Sequence, residues 1–184
     1  VHKNPKVREV VNEELGNIEA VHLIDPLDYE PFANLMHRAF FALPLLTSSS
    51  GIYTNAIMGF ANMLGKILTE YKPDNIVVAF DKSRQTFRTQ MYAEYKGQRE
   101  KTPDELKSQI PLLREFLEAL GIAFIEKDNY EADDIIGTLA TKAASQDYEA
   151  LIVTGDKDAL QLIRPNLKVM LTKRGIMDMQ IFDE

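Results

Sequence analysis

The 184-residue sequence contains no cysteine and only three histidines, which are His2, His22 and His37. Disulfide bonds and thiolate metal sites are therefore excluded, and the absence of cysteine suits a reducing cytoplasm. Because the histidines are scattered, any metal site must be built from carboxylates, which favours Mg²⁺ or Mn²⁺ over Zn²⁺.

Long apolar runs are also lacking, because polar residues interrupt each one before it reaches the length that spans a bilayer. The first residues, Val1 to Pro5, lead into a charged stretch, so we expect no secretory signal. A hydrophobic fraction of 45% and a charged fraction of 27% are typical of an ordinary globular domain. We therefore predict a cytoplasmic protein in which residues 1–184 form one domain without membrane contact.

Apolar runs and helical patterns alternate along the chain, which predicts an α/β fold with a mainly parallel central sheet and helices on both faces. We predict helices over 5–15, 34–43, 55–71, 103–120 and 130–145, strands over 21–24, 76–80, 122–125, 150–153, 167–171 and 179–182, a loop over 26–33 and a mobile connection over 45–54. Thr102 is predicted to cap the fourth helix, with Pro103 in its first position and Glu105 completing a capping box. Gly121 should end that helix.

Acidic residues follow three of the predicted strands, and more acids lie in the first turn of the last predicted helix. The set comprises Asp25, Asp81, Glu131, Asp133, Asp134, Asp156 and Asp158. The carboxyl ends of parallel strands meet at one edge of a sheet, so acids that are distant in sequence can converge there. Carboxylates at one rim repel one another unless divalent cations are bound.

Such a rim suits a site in which two ions, roughly 4 Å apart, assist in-line attack on a phosphodiester. Each group of acids also has a simpler explanation. Glu131 and its neighbours complement a helix dipole, and Asp158 could cap a helix from a solvated loop. The pattern across three strand ends favours the metal site over these separate explanations.

Basic residues are concentrated directly after Asp81. Residues 82–101 hold six basic and two acidic residues, although the whole chain carries a net charge of −7. Cations interleaved with aromatic rings suit a single-stranded nucleic acid, although most charge runs are solvated helix faces. The predicted DNA contacts are Lys82, Arg84, Arg88, Tyr92, Tyr95, Lys96 and Arg99, together with Arg38 on the second predicted helix.

Three motifs, residues 81–99, 131–134 and 154–158, together resemble the 5′-to-3′ exonuclease domain of bacterial DNA polymerase I, in the flap endonuclease family. Residues 34–44 are similar to the first helix of that family, so the resemblance covers Asn34 to Glu184. It implies a PIN-like 5′-nuclease fold in which the segment after Asp81 forms a helical arch or clamp. It also implies Mg²⁺- or Mn²⁺-dependent hydrolysis of DNA at 5′ ends and flaps in replication and repair.

The resemblance further implies roles for individual residues. Metal binding is implied for Asp81, Glu131, Asp133, Asp134, Asp156 and Asp158, and Lys96, Arg99 and Arg88 are expected to act catalytically on the scissile phosphate. Arg38 matches a position near that phosphate. Two ions are expected in the complete protein, and a polymerase domain in the same or another chain is an expected partner.

Residues 1–33 form an atypical N-terminal segment. In the family, the aspartate of the first strand is followed by glycine and a short polar link, whereas here Asp25 is followed by Pro26. Asp25 is retained as a candidate ligand. The family continues beyond Glu184 with two further aspartates and a helix–hairpin–helix element, which we expect this chain to lack. Alternative interpretations are a truncated, non-catalytic DNA-binding module with an incomplete two-metal site, and a ribonuclease of related fold.

Overall fold

The computed structural model describes residues 23–27, 35–36, 38–92, 102–173 and 178–184, with the backbone alone for 23–27 and 84–85. The strands are β1 (Leu23–Leu27), β2 (Val77–Thr86), β3 (Ala123–Asn129), β4 (Ala150–Thr154), β5 (Leu167–Thr172) and β6 (Met179–Phe182). The helices are α1 (Arg38–Ala42), α2 (Asn55–Glu70), α3 (Phe87–Met91), α4 (Asp104–Lys107), α5 (Gln109–Ala119) and α6 (Ala132–Ser145), and a 3₁₀ helix covers Lys157–Leu162.

The strands form two three-stranded sheets that are almost entirely parallel. In the first, β2 lies between β1 and β3 and is parallel to both. In the second, β5 is parallel to β4 and antiparallel to β6. Strand β1 lies beside β4, and α6 packs against strands of both sheets, so the two sheets share one helical layer.

Helices cover both faces of these sheets, and the pleat of the strands explains which residues each face buries. Along β2, Val77 and Ala79 pack with the apolar side of α6, whereas Val78 and Phe80 pack with α2 and α5. Side chains alternate between faces along a strand, so a continuous apolar run is what a strand covered on both sides requires. The predicted α/β class with a parallel sheet is confirmed.

Several predicted boundaries are wrong. Strand β1 continues through Pro26, which was assigned to a loop; the pairing register with β2 shifts between Ile24 and Leu27, and an irregular site of this kind tolerates proline. The connection predicted over 45–54 does lie between α1 and α2, and it contains a hydrogen-bonded turn in which a bridge joins Thr47 to Tyr53.

The helix predicted over 103–120 is interrupted at Ser108, and it begins one residue later than expected. Its N-cap is Pro103 without a side-chain cap, so the capping box predicted from Thr102 does not form. Pro111 lies in the first turn of α5 and has no N–H to bond the carbonyl of Lys107, which explains the break. The end of α5 is as predicted, since Gly121 adopts a φ of +68°.

Among the described residues, no helix has both the length and the apolar character needed to cross a membrane. The helix predicted over 5–15 lies outside the described residues.

Candidate metal and nucleic-acid site

Asp81 lies in β2 where the strand passes the first turn of α6. The residue is 9% exposed, and Oδ1 accepts a hydrogen bond from the backbone N–H of Ala132, the first residue of α6. The N–H groups at the start of a helix have no partner within the helix, and the helix dipole favours an anion there. The Asp81 carboxylate therefore ties the end of the central strand to the start of α6.

Glu131 and Asp134 form the N-terminal capping box of α6. Glu131 is the N-cap residue, and Asp134 Oδ2 accepts a hydrogen bond from the Glu131 N–H over 3.0 Å. The sequence therefore places acids in this first turn for a structural reason, in addition to any role in binding.

Arg88 binds both of these acids from the adjoining helix α3. Its Nη1 and Nη2 donate to Oδ2 and Oδ1 of Asp134, each over 2.7 Å, and Nη1 lies 3.3 Å from Glu131 Oε2. The three side chains are 13%, 3% and 9% exposed for Arg88, Asp134 and Glu131 respectively. A two-pronged pair of this kind is the strongest ion-pair geometry in proteins. Both oxygens of Asp134 are thus engaged with protein donors.

The second group of acids lies in the turn after β4. Thr154 Oγ1 accepts a hydrogen bond from the Asp156 N–H over 2.9 Å, and Asp156 Oδ1 accepts one from the Asp158 N–H over 2.8 Å. Asp156 is the N-cap of the 3₁₀ helix. The capping role that the sequence assigned to Asp158 therefore belongs to Asp156, because the helix begins at Lys157.

A cleft of about 210 Å³ brings the two groups of acids together. Its polar lining consists of Arg88, Glu131, Asp133, Thr154, Asp156, Asp158 and Gln161, above an apolar floor of Ile136, Ile152, Ala159 and Leu162. Of the predicted ligands that the structure describes, Asp81 and Asp134 are turned towards the α6 terminus and Arg88 and do not line this cleft.

The donor set of the cleft fits a hard divalent ion. Within the described ranges, no three histidine, aspartate or glutamate side chains come close enough to hold one ion jointly. Mg²⁺, however, typically uses one or two carboxylates, keeps several waters and takes further oxygens from a substrate phosphate. The four acids that line the cleft, Glu131, Asp133, Asp156 and Asp158, provide oxygen ligands of that kind.

Arg38 on α1 lies against the same edge of the second sheet. Its guanidinium donates to the backbone oxygens of Thr172, Lys173 and Gly155. Gly155 immediately precedes Asp156, so Arg38 holds the turn that carries the second group of acids. Its predicted contact with a DNA phosphate stays a prediction.

The other predicted DNA contacts are placed only in part. Lys82 is exposed and pairs with Asp128 over 2.7 Å; this hydrogen bond and the charge of Asp128 raise the pKa of Lys82 above its ordinary value. Tyr92 is 71% exposed. The side chains of Asp25 and Arg84 lie outside what the structure describes, as do residues Tyr95, Lys96 and Arg99.

Two lining residues were not predicted from the sequence. Thr154 lies at the end of β4 and is 2% exposed, and Gln161 donates to the Asp158 carbonyl over 2.9 Å. Thr154 was visible as the residue before the Gly155-Asp156 turn, but nothing in the sequence distinguished Gln161 from other exposed polar residues.

Comparison with known proteins gives two family matches. The 5′-3′ exonuclease, N-terminal resolvase-like domain matches residues 32–184, and UDP-N-acetylglucosamine 2-epimerase matches residues 1–61. The first match covers most of the chain and excludes the stretch that contains Asp25. The second match covers a third of the chain and includes that stretch.

DNA polymerase I of Bacillus caldotenax is 51% identical over 148 residues, which are 80% of this chain and 17% of that protein. DNA polymerase I of Bacillus subtilis is 48% identical over 149 residues, which are 81% of this chain and 17% of that protein. This chain therefore spans 17% of the length of these relatives.

Solved structures share the fold at low sequence identity. Bacteriophage T5 5′-exonuclease with divalent metal ions (zinc) bound aligns with a TM-score of 0.59 at 16% identity, covering 89% of this chain and 58% of that chain. A complex of the bacteriophage T5 flap endonuclease with DNA and metal ions aligns with a TM-score of 0.58 at 16% identity, covering 88% of this chain and 57% of that chain.

The resemblance inferred from the three motifs is confirmed by the match over residues 32–184 and by the identity to the bacterial polymerases. The chain belongs to the 5′-3′ exonuclease family, through its N-terminal resolvase-like domain.

Proposed function

We propose that this domain hydrolyses DNA phosphodiesters as a divalent-metal-dependent 5′-to-3′ exonuclease and 5′-flap endonuclease that acts in replication and repair. The observation that carries the proposal is the cleft in which Glu131 and Asp133 at the start of α6 face Asp156 and Asp158 after β4. Membership of the 5′-3′ exonuclease family supports it. A cytoplasmic location agrees with a DNA substrate.

Mg²⁺ or Mn²⁺ is the proposed cofactor, with two ions in the complete protein, and the four acids that line the cleft are its proposed ligands. When bound, a divalent ion lowers the pKa of a coordinated water and stabilises the negative charge of the reacting phosphate. Asp81 also remains a proposed ligand, and its carboxylate fixes the N-terminus of α6, whereas Asp134 fixes Arg88. Asp25 remains a proposed ligand on sequence grounds alone.

Arg88 is the cation that the structure describes in the wall of the cleft, so it is the group proposed to meet a phosphate there. The further basic groups proposed to act on that phosphate are Lys96 and Arg99. Single-stranded DNA with a 5′ end is the proposed partner of the segment that contains Arg84, Tyr92 and Tyr95, because exposed rings stack on bases. A polymerase domain in the same or another chain is the other proposed partner, in line with the polymerases that this chain matches.

Cleavage of a labelled 5′-flap DNA by the whole chain tests the proposal. Products should appear with Mg²⁺ or Mn²⁺ and disappear with EDTA, and gel analysis would separate release of an intact flap from stepwise removal of nucleotides. Absence of cleavage in both ions would refute the assignment for this chain. An RNA flap of the same sequence would separate this activity from the ribonuclease alternative.

A non-catalytic DNA-binding module is the second candidate. It is favoured by the absence, among the described side chains, of three acids close enough to share one ion. This candidate requires flap DNA to bind in Ca²⁺ and to remain intact in Mg²⁺ and Mn²⁺. The same flap, followed by a gel shift and a cleavage gel, separates the two functions.

A further inference from the structure

Arg88 contacts two acids at the start of α6, and one of them, Glu131, is a proposed metal ligand. Its guanidinium is 13% exposed, and Glu131 and Asp134 are 9% and 3% exposed, so all three groups are largely removed from water. Buried carboxylates need a compensating cation, because the cost of removing a charge from water is otherwise several kcal/mol. In this arrangement the protein supplies that cation itself.

The contacts of Arg88 with its two partners are unequal. Asp134 receives two hydrogen bonds of 2.7 Å, and one of its oxygens also accepts the Glu131 N–H. Glu131 Oε2 lies 3.3 Å from Nη1, which is a weaker contact, and Glu131 lines the cleft whereas Asp134 does not. Asp134 therefore anchors the arginine, and Glu131 is the partner that the arginine can release at the smaller cost.

We propose that Arg88 acts as an internal counter-ion that competes with a divalent cation for the Glu131 carboxylate, while Asp134 positions Arg88 and is not a metal ligand. The inference rests on the proposed function, since it concerns the same site. Binding of an ion at Glu131 removes the contact with Nη1, and Arg88 remains in the cleft wall through its two bonds to Asp134. The charge of Arg88 then stabilises the free protein and lowers its affinity for the metal ion.

Mutation of a residue in a binding site usually weakens binding, but competition between Arg88 and the metal ion predicts the opposite. Arg88→Gln should bind Mn²⁺ more tightly than the wild type, by roughly tenfold, which is the equilibrium equivalent of one charge-assisted hydrogen bond. The same variant should unfold at a lower temperature in EDTA. Its melting temperature should rise more on addition of Mn²⁺ than that of the wild type, because ligand binding to the folded state alone stabilises it.

The experiment measures Mn²⁺ affinity of the whole chain without DNA, by titration calorimetry or by the electron paramagnetic resonance signal of free Mn²⁺. The matched control is Arg114→Gln, which removes an arginine paired with Glu126 at 2.7 Å away from the cleft, and its Mn²⁺ affinity should equal that of the wild type. Arg88→Lys keeps a charge for Asp134 but loses the two-pronged geometry, so it should give an intermediate affinity. It also provides the test if Arg88→Gln does not fold.

A double-mutant cycle separates competition at Glu131 from a general effect of charge. In a Glu131→Gln background the substitution of Arg88 should no longer tighten Mn²⁺ binding. Equal tightening in both backgrounds, or an unchanged or weaker affinity of Arg88→Gln and Arg88→Lys, would overturn the inference while leaving the proposed metal dependence intact. Failure of every variant and of the wild type to bind Mn²⁺ would overturn the proposed function, and the inference with it.

Discussion

Replacing Asp134 with asparagine removes the carboxylate that Arg88 contacts most closely. Asp134 accepts two hydrogen bonds of 2.7 Å from Arg88 and is 3% exposed. Removal of one partner from a buried ion pair costs roughly 3–5 kcal/mol when the other charge is left without compensation, and Arg88 keeps only its longer contact of 3.3 Å with Glu131. Asparagine keeps one oxygen that can accept a hydrogen bond, so we expect the lower end of that range, about 3 kcal/mol.

Urea unfolding followed by far-ultraviolet circular dichroism, in EDTA, measures this loss without a contribution from bound metal. The control is Asp128→Asn, since Asp128 also pairs with a basic side chain, that of Lys82 at 2.7 Å, but is 70% exposed. Exposed ion pairs contribute little, so this control should unfold at the wild-type urea midpoint within error. An Asp134→Asn protein that is as stable as the control would refute the assignment of Asp134 as the buried anchor of Arg88.

Three further substitutions test how the fold holds the site. Gln109→Ala should lower the free energy of unfolding by roughly 2–5 kcal/mol, because Gln109 Oε1 accepts hydrogen bonds from two backbone N–H groups at the start of α2. The control is Gln90→Ala, since Gln90 is exposed, and equal urea midpoints for the two variants would contradict the reasoning. Arg38→Gln should lower the free energy of unfolding by roughly 1–3 kcal/mol in the same assay, since three backbone carbonyls lose their donor. A urea midpoint equal to that of the wild type would show that these hydrogen bonds contribute nothing to stability. Asp156→Ala should lower the free energy of unfolding by about 1 kcal/mol because it removes the N-cap of the 3₁₀ helix, whereas Asp156→Asn keeps a capping oxygen. Similar unfolding curves for the two variants would rule out the capping role.

The sequence predicted the sheet and much of the cleft because both depend on local patterns. The continuous apolar run over 76–80 is typical of a strand buried on both faces, and the structure places Val77 and Val78 in different cores. Acids at the carboxyl ends of parallel strands can meet at one edge, and Asp156 and Asp158 lie in one cleft with Glu131 and Asp133, although Asp81 does not line it.

The remaining features depend on contacts that no local pattern encodes. Arg88 and Asp134 are 46 positions apart, so their pairing and the resulting engagement of both Asp134 oxygens could not be inferred from spacing. The buried hydrogen bond between Gln109 and Asn55 joins residues 54 positions apart, and nothing in either helix marks it. The break at Ser108 could be predicted from Pro111, which has no N–H for the helix, although Thr102-Pro103 gives a strong helix-start signal nearby.

The central claim is that the acids of the cleft catalyse metal-dependent cleavage of DNA, and Asp156→Asn tests it most directly. Because asparagine also caps a helix, this variant should keep the wild-type unfolding midpoint. The wild-type chain should cleave a labelled 5′-flap DNA in Mg²⁺, and Asp156→Asn should give no detectable product at the same protein concentration. Cleavage by Asp156→Asn at the wild-type rate would contradict the account.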